Sequence, residues 1–394
     1  MSDVARLLAW FESGALVRPD AAAPNTVALA RAIGSICGVA DVRLAPNEQR
    51  IADAIGPAEH LVFVMADGLG MNLIERLPEG SFFRQHLVME MQAVFPSSTA
   101  PAVTSLATGC WPAEHAVPGW FTYLPDDGMI ATILPFVERF SKRPLTEMGV
   151  DVRRALPVPS WLPRFAHDPL CYMPAFITAS VYSNYLSGGQ PQFGYKHVAD
   201  AIAAIAARIE NASAPTYTYF YVPFIDTAEH EHGPHAKAVG KTLRMVEHNI
   251  EALASRLAGE ARIIVSADHG LTHVERRDQY EIEDGDPLLD VLRLPPSGEP
   301  RVPFFYPRIG GEVAFAAAFR ERFGATHALL TINEVDELRL LGPDAFAPET
   351  RRRMGEFMAI SATPDAIQHK PDDPMLGYHG GLLSDEMRIP LIVV

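Results

Sequence analysis

The chain predicts an α/β fold, a mostly parallel central sheet flanked by helices with a small α/β cap insert, on three grounds. Apolar, β-prone runs end three times in an aspartate: LVFVMAD at Asp67, TYTYFYVPFID at Asp226 and ARIIVSAD at Asp268, with His269 next. Continuous apolar runs of this kind suit strands covered on both faces. Between them lie stretches such as HVADAIAAIAARIENA and VGKTLRMVEHNIEALASRLAGE, whose apolar residues recur at helical spacing. Ligands of such sheets gather beyond the carboxyl ends of the strands, so three aspartates remote in sequence are expected on one edge.

Two regions break this rhythm. Residues 126–175 are rich in Pro, Arg and aromatics and read as a long surface excursion. Residues 278–350 read as a small α/β insert, the better candidate for a cap because core-like patterns bracket it. The expected core is therefore 1–277 with 351–394, returning through FMAISATPDAI and closing on IPLIVV as a last strand. Pro223 marks an end, bend or bulge of the second apolar run.

Composition narrows the function. A chain of 394 residues, 48% hydrophobic and 21% charged, can bury a sizeable core. Its formal net charge of -15 repels nucleic acid backbones, and no basic stripe offsets it, so no polymeric nucleic acid is expected as a partner. Phosphates would be handled through bound cations. Cys37, Cys110 and Cys171 lack any CxxC pattern and read as buried small hydrophobes. The N-terminus lacks the basic start and apolar run of a secretory signal, and no run of about 18 apolar residues suggests a membrane span. A cytoplasmic protein without membrane partners is expected, with homo-oligomerisation left open.

The segment IDTAEHEHGPH, residues 225–235, holds three histidines and three acids. Asp226 and His230, four apart, share one face of a helical turn and can share a metal, whereas Glu229, Glu231 and His232 point elsewhere. His235 is a candidate substrate contact. Gly270 permits a turn that could bring both Asp268 and His269 to bear, and the glycines of GYHGG leave the imidazole of His379 unobstructed. Taken singly, each cluster is an ordinary turn, surface pair or loop. In FPSSTAPAVTSLATG, Thr99 opens a helix-like run with Pro101 early in it, where a hydroxyl meets free amide groups; Thr99 or Ser98 could equally serve as a plain cap. A threonine hydroxyl is a poor nucleophile at neutral pH, but a coordinated cation lowers its pKa by several units. Asp and His without Cys suit Zn²⁺, Mn²⁺ or Fe, and imidazole content puts Zn²⁺ first.

Asp67, the Thr99 segment, Asp226 with His230, Asp268 with His269, and His379, in that order, resemble the alkaline phosphatase superfamily and within it the type I phosphodiesterase/nucleotide pyrophosphatase branch. The likeness runs from about residue 60 to the C-terminus. It implies an alkaline-phosphatase-like fold and two divalent metal ions, one held by Asp226, His230 and His379, the other by Asp67, Asp268 and His269, with Thr99 bound beside them as nucleophile. It further implies hydrolysis of small phosphodiesters, pyrophosphates or nucleotides through a covalent phospho-threonine or nucleotidyl-threonine. Many members of this branch carry Lys-Thr-Phe-Pro-Asn, whose asparagine contacts a phosphate oxygen; here Ala102 replaces it, so another donor is required. A phosphonate hydrolase, a phosphomonoesterase or a phosphomutase would use nearly the same metal cage, and a noncatalytic metal-binding domain would keep the fold but have no need of Thr99. Substrate contacts outside the cage are unassigned.

Overall fold

The computed structural model describes residues 1–371 and 375–394. Its central sheet has seven strands in the order Leu87–Gln92, Arg388–Val393, Arg262–Ser266, His60–Ala66, Thr216–Val222, Asp168–Pro174 and Gln192–Tyr195. His60–Ala66 lies at its heart, parallel to both neighbours, with Val62 opposite Thr218 on one side and Ile263 on the other. It is buried from Leu61 to Ala66 because helices pack around it. One of these, Lys237–Arg256, buries Val239, Leu243, Val246, Ile250 and Leu253, a 4-3-4-3 spacing that gives a single apolar stripe. The strand Arg388–Val393 runs antiparallel to both its neighbours.

The parallel strands deliver their aspartates to one edge. Asp67 directly follows its strand, and its N–H donates to the carbonyl of Val222 at 3.0 Å. Pro223 ends the Thr216–Val222 strand and stands at the N-cap of the helix Phe224–His232, where a missing N–H costs nothing. The Asp226 N–H then reaches back to the carbonyl of Asp67 at 3.1 Å.

A second sheet of seven strands, in the order His327–Thr331, Phe357–Ser361, Val302–Pro307, Leu292–Glu299, Phe121–Leu124, Met129–Thr132 and Val137–Glu138, is antiparallel throughout. Both its faces are covered: Phe304 and Tyr306 enter one apolar cluster with Leu7 of the N-terminal helix, while Phe305 enters another with Phe315 and Phe319. This sheet draws on more chain than residues 278–350. It takes Phe121–Leu124, just ahead of the expected surface excursion, and Met129–Thr132 and Val137–Glu138 inside it, and its Phe357–Ser361 strand is the FMAIS run expected to return to the core. An apolar strand buried on both faces fits any covered sheet, and periodicity does not name its neighbour. The end of that excursion, Asp168–Pro174, belongs to the central sheet.

Arg301, fully buried beside the second sheet, ties the two halves together. Its Nε and Nη2 donate to the Glu386 carboxylate at 3.0 and 3.1 Å, and its Nη1 donates to the carbonyl of Thr363 at 2.7 Å. Glu386 in turn accepts the N–H groups of Gly381 and Leu383 at 2.8 and 3.1 Å. Among the described residues no helix is long and apolar enough to cross a membrane.

Removing one partner of a buried ion pair strands the other without compensation. Arg301→Met is expected to lower the unfolding free energy by about 3–5 kcal/mol in a urea titration. A loss under about 1 kcal/mol would show that this pair does not join the halves.

Candidate active site

Thr99 is the first residue of the helix Thr99–Thr108, and Ser98 is its N-cap with extended backbone. Neither hydroxyl is used as a cap, since no side-chain capping bond forms. The Thr99 hydroxyl instead lies 3.1 Å from Nε2 of His269. It faces an open cavity of about 770 Å³ lined from both sheets, with Asp67, Asp226, His230 and His379 in the same wall.

The seven residues singled out in the sequence converge here. Nε2 of His230 lies 3.2 Å from Asp226 Oδ1, one helical turn away. The carbonyl of Gly377 accepts from Nδ1 of His230 at 2.8 Å, so Nε2 is the atom left to face Asp226. Nε2 of His269 lies 3.4 Å from Asp268 Oδ2 and 3.7 Å from Asp67 Oδ1. The ring of His379 stacks on His269 at 3.8 Å between centroids and stands 5.1 Å from the ring of His230. Two triads have ligand atoms mutually within 4.8 Å: Asp226, His230 and His379, and Asp67, Asp226 and His269. Asp226 thus belongs to both. Asp268 gives one oxygen to the N–H groups of Gly68 and His269, at 3.2 and 3.1 Å, and leaves the other toward His269 Nε2.

Glycines make this crowding feasible. Gly68 has a φ of +75°, and a Cβ there would lie 2.8 Å from Cα of Asp226. At Gly270 close approach, more than the turn, demands glycine: a Cβ would lie 2.2 Å from the carbonyl oxygen of Asp385.

The residues fit divalent cations. Oδ1 of Asp67, Oδ1 of Asp226, Oδ2 of Asp268 and Nδ1 of His379 are buried without hydrogen-bond partners, an arrangement that costs free energy unless something positive satisfies them. Burial, then the charges of Asp268 and Asp226, push the Asp67 carboxyl well above its ordinary value. Burial would raise Asp226 too, but the facing His230 outweighs it and holds that carboxyl low. Burial and the neighbouring His269 and His230 hold His379 well below the usual imidazole range, in the neutral form that binds metals.

Two contributors escape a reading of the sequence. The Tyr221 hydroxyl donates to Asp67 Oδ2 at 2.6 Å, which leaves Oδ1 turned toward His269. The available signal was the alternation of Tyr217, Tyr219 and Tyr221 along a buried strand, because a buried phenol needs a partner. Glu299, from the second sheet, accepts the Trp120 N–H at 2.6 Å at the cavity wall. Burial pushes its carboxyl up to about 7, against the pull of the Ser98 hydroxyl and of that N–H.

Other expectations shift. His235, a candidate substrate contact, is exposed and outside the cavity wall, its ring 6.5 Å from that of His273. Its helix has ended by then, so nothing turns it toward Asp226. Glu229 belongs to neither triad, as expected, but is fully buried, and both its oxygens lack partners. Ala102 packs with Val27 and Val94 and does not line the cavity, so the amide absent at this position removes no donor from the site.

A parallel sheet with acids at its carboxyl edge, facing a hydroxyl at a helix start, is the arrangement of the alkaline phosphatase superfamily. The family model for type I phosphodiesterase/nucleotide pyrophosphatase matches residues 61–308, more than half of the sequence, and the chain belongs to that family. Among solved structures, murine ectonucleotide pyrophosphatase/phosphodiesterase 5, an inactive variant in complex with AMP, is similar with a TM-score of 0.64 and 19% identity, over 84% of this chain and 87% of that one. The human counterpart gives 0.64 and 18% over the same shares. At this identity the likeness is one of fold. No curated protein sequence matches the chain.

Hydrogen bonds that orient a ligating group typically carry 10–100-fold in metal affinity. Tyr221→Phe is expected to weaken Zn²⁺ or Mn²⁺ binding by about 10-fold or more in a chelator competition; unchanged affinity would show that Asp67 holds its orientation unaided. Because the Glu299 pKa is raised from 4.5 to about 7, its contribution to stability is full below 4.5 and is lost as pH rises through 7. In metal-free protein, Glu299→Gln is therefore expected to gain on the parent between pH 5 and 8, by up to about 3 kcal/mol. Parallel melting profiles across that range would contradict this.

Proposed function

We propose that this chain is a metal-dependent hydrolase of small phosphate esters, phosphodiesters or pyrophosphates, in which Thr99 is the nucleophile. One observation carries the reading: the Thr99 hydroxyl sits at a helix start, 3.1 Å from His269, facing the cavity that both triads border. The AMP bound to the murine structure supports a small nucleotide or related ester as the kind of substrate.

Bound divalent cations, Zn²⁺ first by imidazole content, would lower the pKa of the Thr99 hydroxyl and offset charge on the phosphoryl oxygens. Asp226, His230 and His379 would hold one, and Asp67, Asp268 and His269 the other, with Asp226 close enough to both groups to serve either. Free N–H groups at the start of the Thr99–Thr108 helix add a positive end for a phosphoryl oxygen. Thr99 Oγ1 attacks phosphorus and its proton goes to the ester oxygen that leaves from the opposite side as an alcohol or phosphate, giving phospho-threonine from a monoester or a threonine phosphodiester that keeps the second substituent. Water then attacks from the vacated side, returns a proton to Thr99 and frees the product. Tyr221 keeps Asp67 aimed throughout.

Thr99→Ala is expected to reduce turnover of a p-nitrophenyl diester by at least about 10³-fold while metal content is retained. Full activity in this variant would move the nucleophile to Ser98 or to water. Asp226→Asn and His379→Ala are expected to lose metal before anything else; full occupancy of both sites by elemental analysis would remove these residues from the cage.

A further inference from the structure

The cavity continues well past the reacting groups, and its walls bear on what the substrate carries. On one side stand Val103, Met173 and Leu186, on the other Trp120 and Leu134, and at the rim Phe176, which is 82% exposed. Several polar wall groups are committed within the protein: Ser183 donates to the carbonyl of Ile177 at 2.8 Å, Thr227 to that of Pro223 at 3.1 Å, and Ser297 pairs with the Tyr306 hydroxyl at 2.5 Å. Most of what remains for a ligand is apolar surface.

Charge points the same way. Among the described residues Arg139 is the one Lys or Arg in this wall. Its guanidinium donates to the carbonyls of His369, at 2.8 Å, and Pro296, and lies 3.8 Å from the centre of the Phe121 ring. The acid of Glu299 shares the wall. A second phosphate on the substrate would thus leave water beyond the metal cage without gaining a cation, whereas an apolar substituent would gain from every wall it covers.

We propose that the cavity beside Thr99 selects phosphate diesters whose second substituent is an uncharged aryl or alkyl group, and disfavours nucleoside polyphosphates. This rests on the hydrolase reading above and names its substrate class.

The test uses the full chain loaded with Zn²⁺ or Mn²⁺ and compares kcat/KM for p-nitrophenyl methyl phosphate, p-nitrophenyl hexyl phosphate, p-nitrophenyl phenyl phosphate and ATP. The hexyl or the phenyl ester is expected to exceed the methyl ester by at least about 10-fold, with ATP at least about 10-fold below the better of them. Phe176→Asp, at a position 82% exposed, is expected to raise KM for the hexyl and phenyl esters more than for the methyl ester. Equal rates across the three esters, or ATP outrunning the phenyl and hexyl esters, would overturn this inference; if Thr99→Ala still abolished turnover, the hydrolase reading would stand. Lack of turnover on every ester would overturn both.

Discussion

The molecule is organised around an electrostatic conflict. Three carboxylates and three imidazoles are brought within a few ångströms of one another, with Asp67, Asp268 and His269 buried and His379 half-buried. Buried polar atoms normally find partners, yet an oxygen on each aspartate and a nitrogen of His379 do not. Side chains alone resolve this only in part: His230 offsets Asp226, and Tyr221 takes one oxygen of Asp67. The remaining lone pairs converge and are best satisfied by positive charge supplied from outside the chain. Such an arrangement survives because the surrounding structure holds it, and the neighbouring sheet, helix and loop contacts can be read as that support.

The support comes from both sheets. The central sheet fixes Asp67 and Asp226 through backbone hydrogen bonds linking the ends of adjacent strands, so their spacing follows from strand pairing. The second sheet acts at a distance, through Arg301 and Glu386, on the glycine-flanked loop that carries His379. It also lends Glu299, Pro296 and Ser297 to the cavity wall. One half of the molecule thus holds the reacting groups, and the other closes the space in front of them.

Much of the site was legible in the sequence because its residues stand where chain direction changes: at strand ends, at a helix start and between glycines. These places have recognisable residue signatures, and Asp67, Thr99, Asp226, Asp268 and His379 occupy them. Tyr221 and Glu299 stand within strands, where a polar side chain reads like any other member of a β-prone run until its partner strand is known. The second sheet was obscured for the same reason. Phe357–Ser361 and Arg388–Val393 are both short apolar runs, yet one pairs with His327–Thr331 and the other with Arg262–Ser266. Ala102 shows the reverse error: a position three residues from Thr99 packs with Val27 and Val94 and stays out of the cavity wall.

The reversed direction of the last strand determines how the seventh of these residues arrives. Every other strand of that sheet presents its finish at the ligand edge, whereas Arg388–Val393 presents its beginning there. The peptide leading into it therefore passes over the aspartates before it enters the sheet. Had this strand been laid the other way, its six residues would have carried the preceding turn off by about 20 Å, and His379 would belong to the far rim of the molecule.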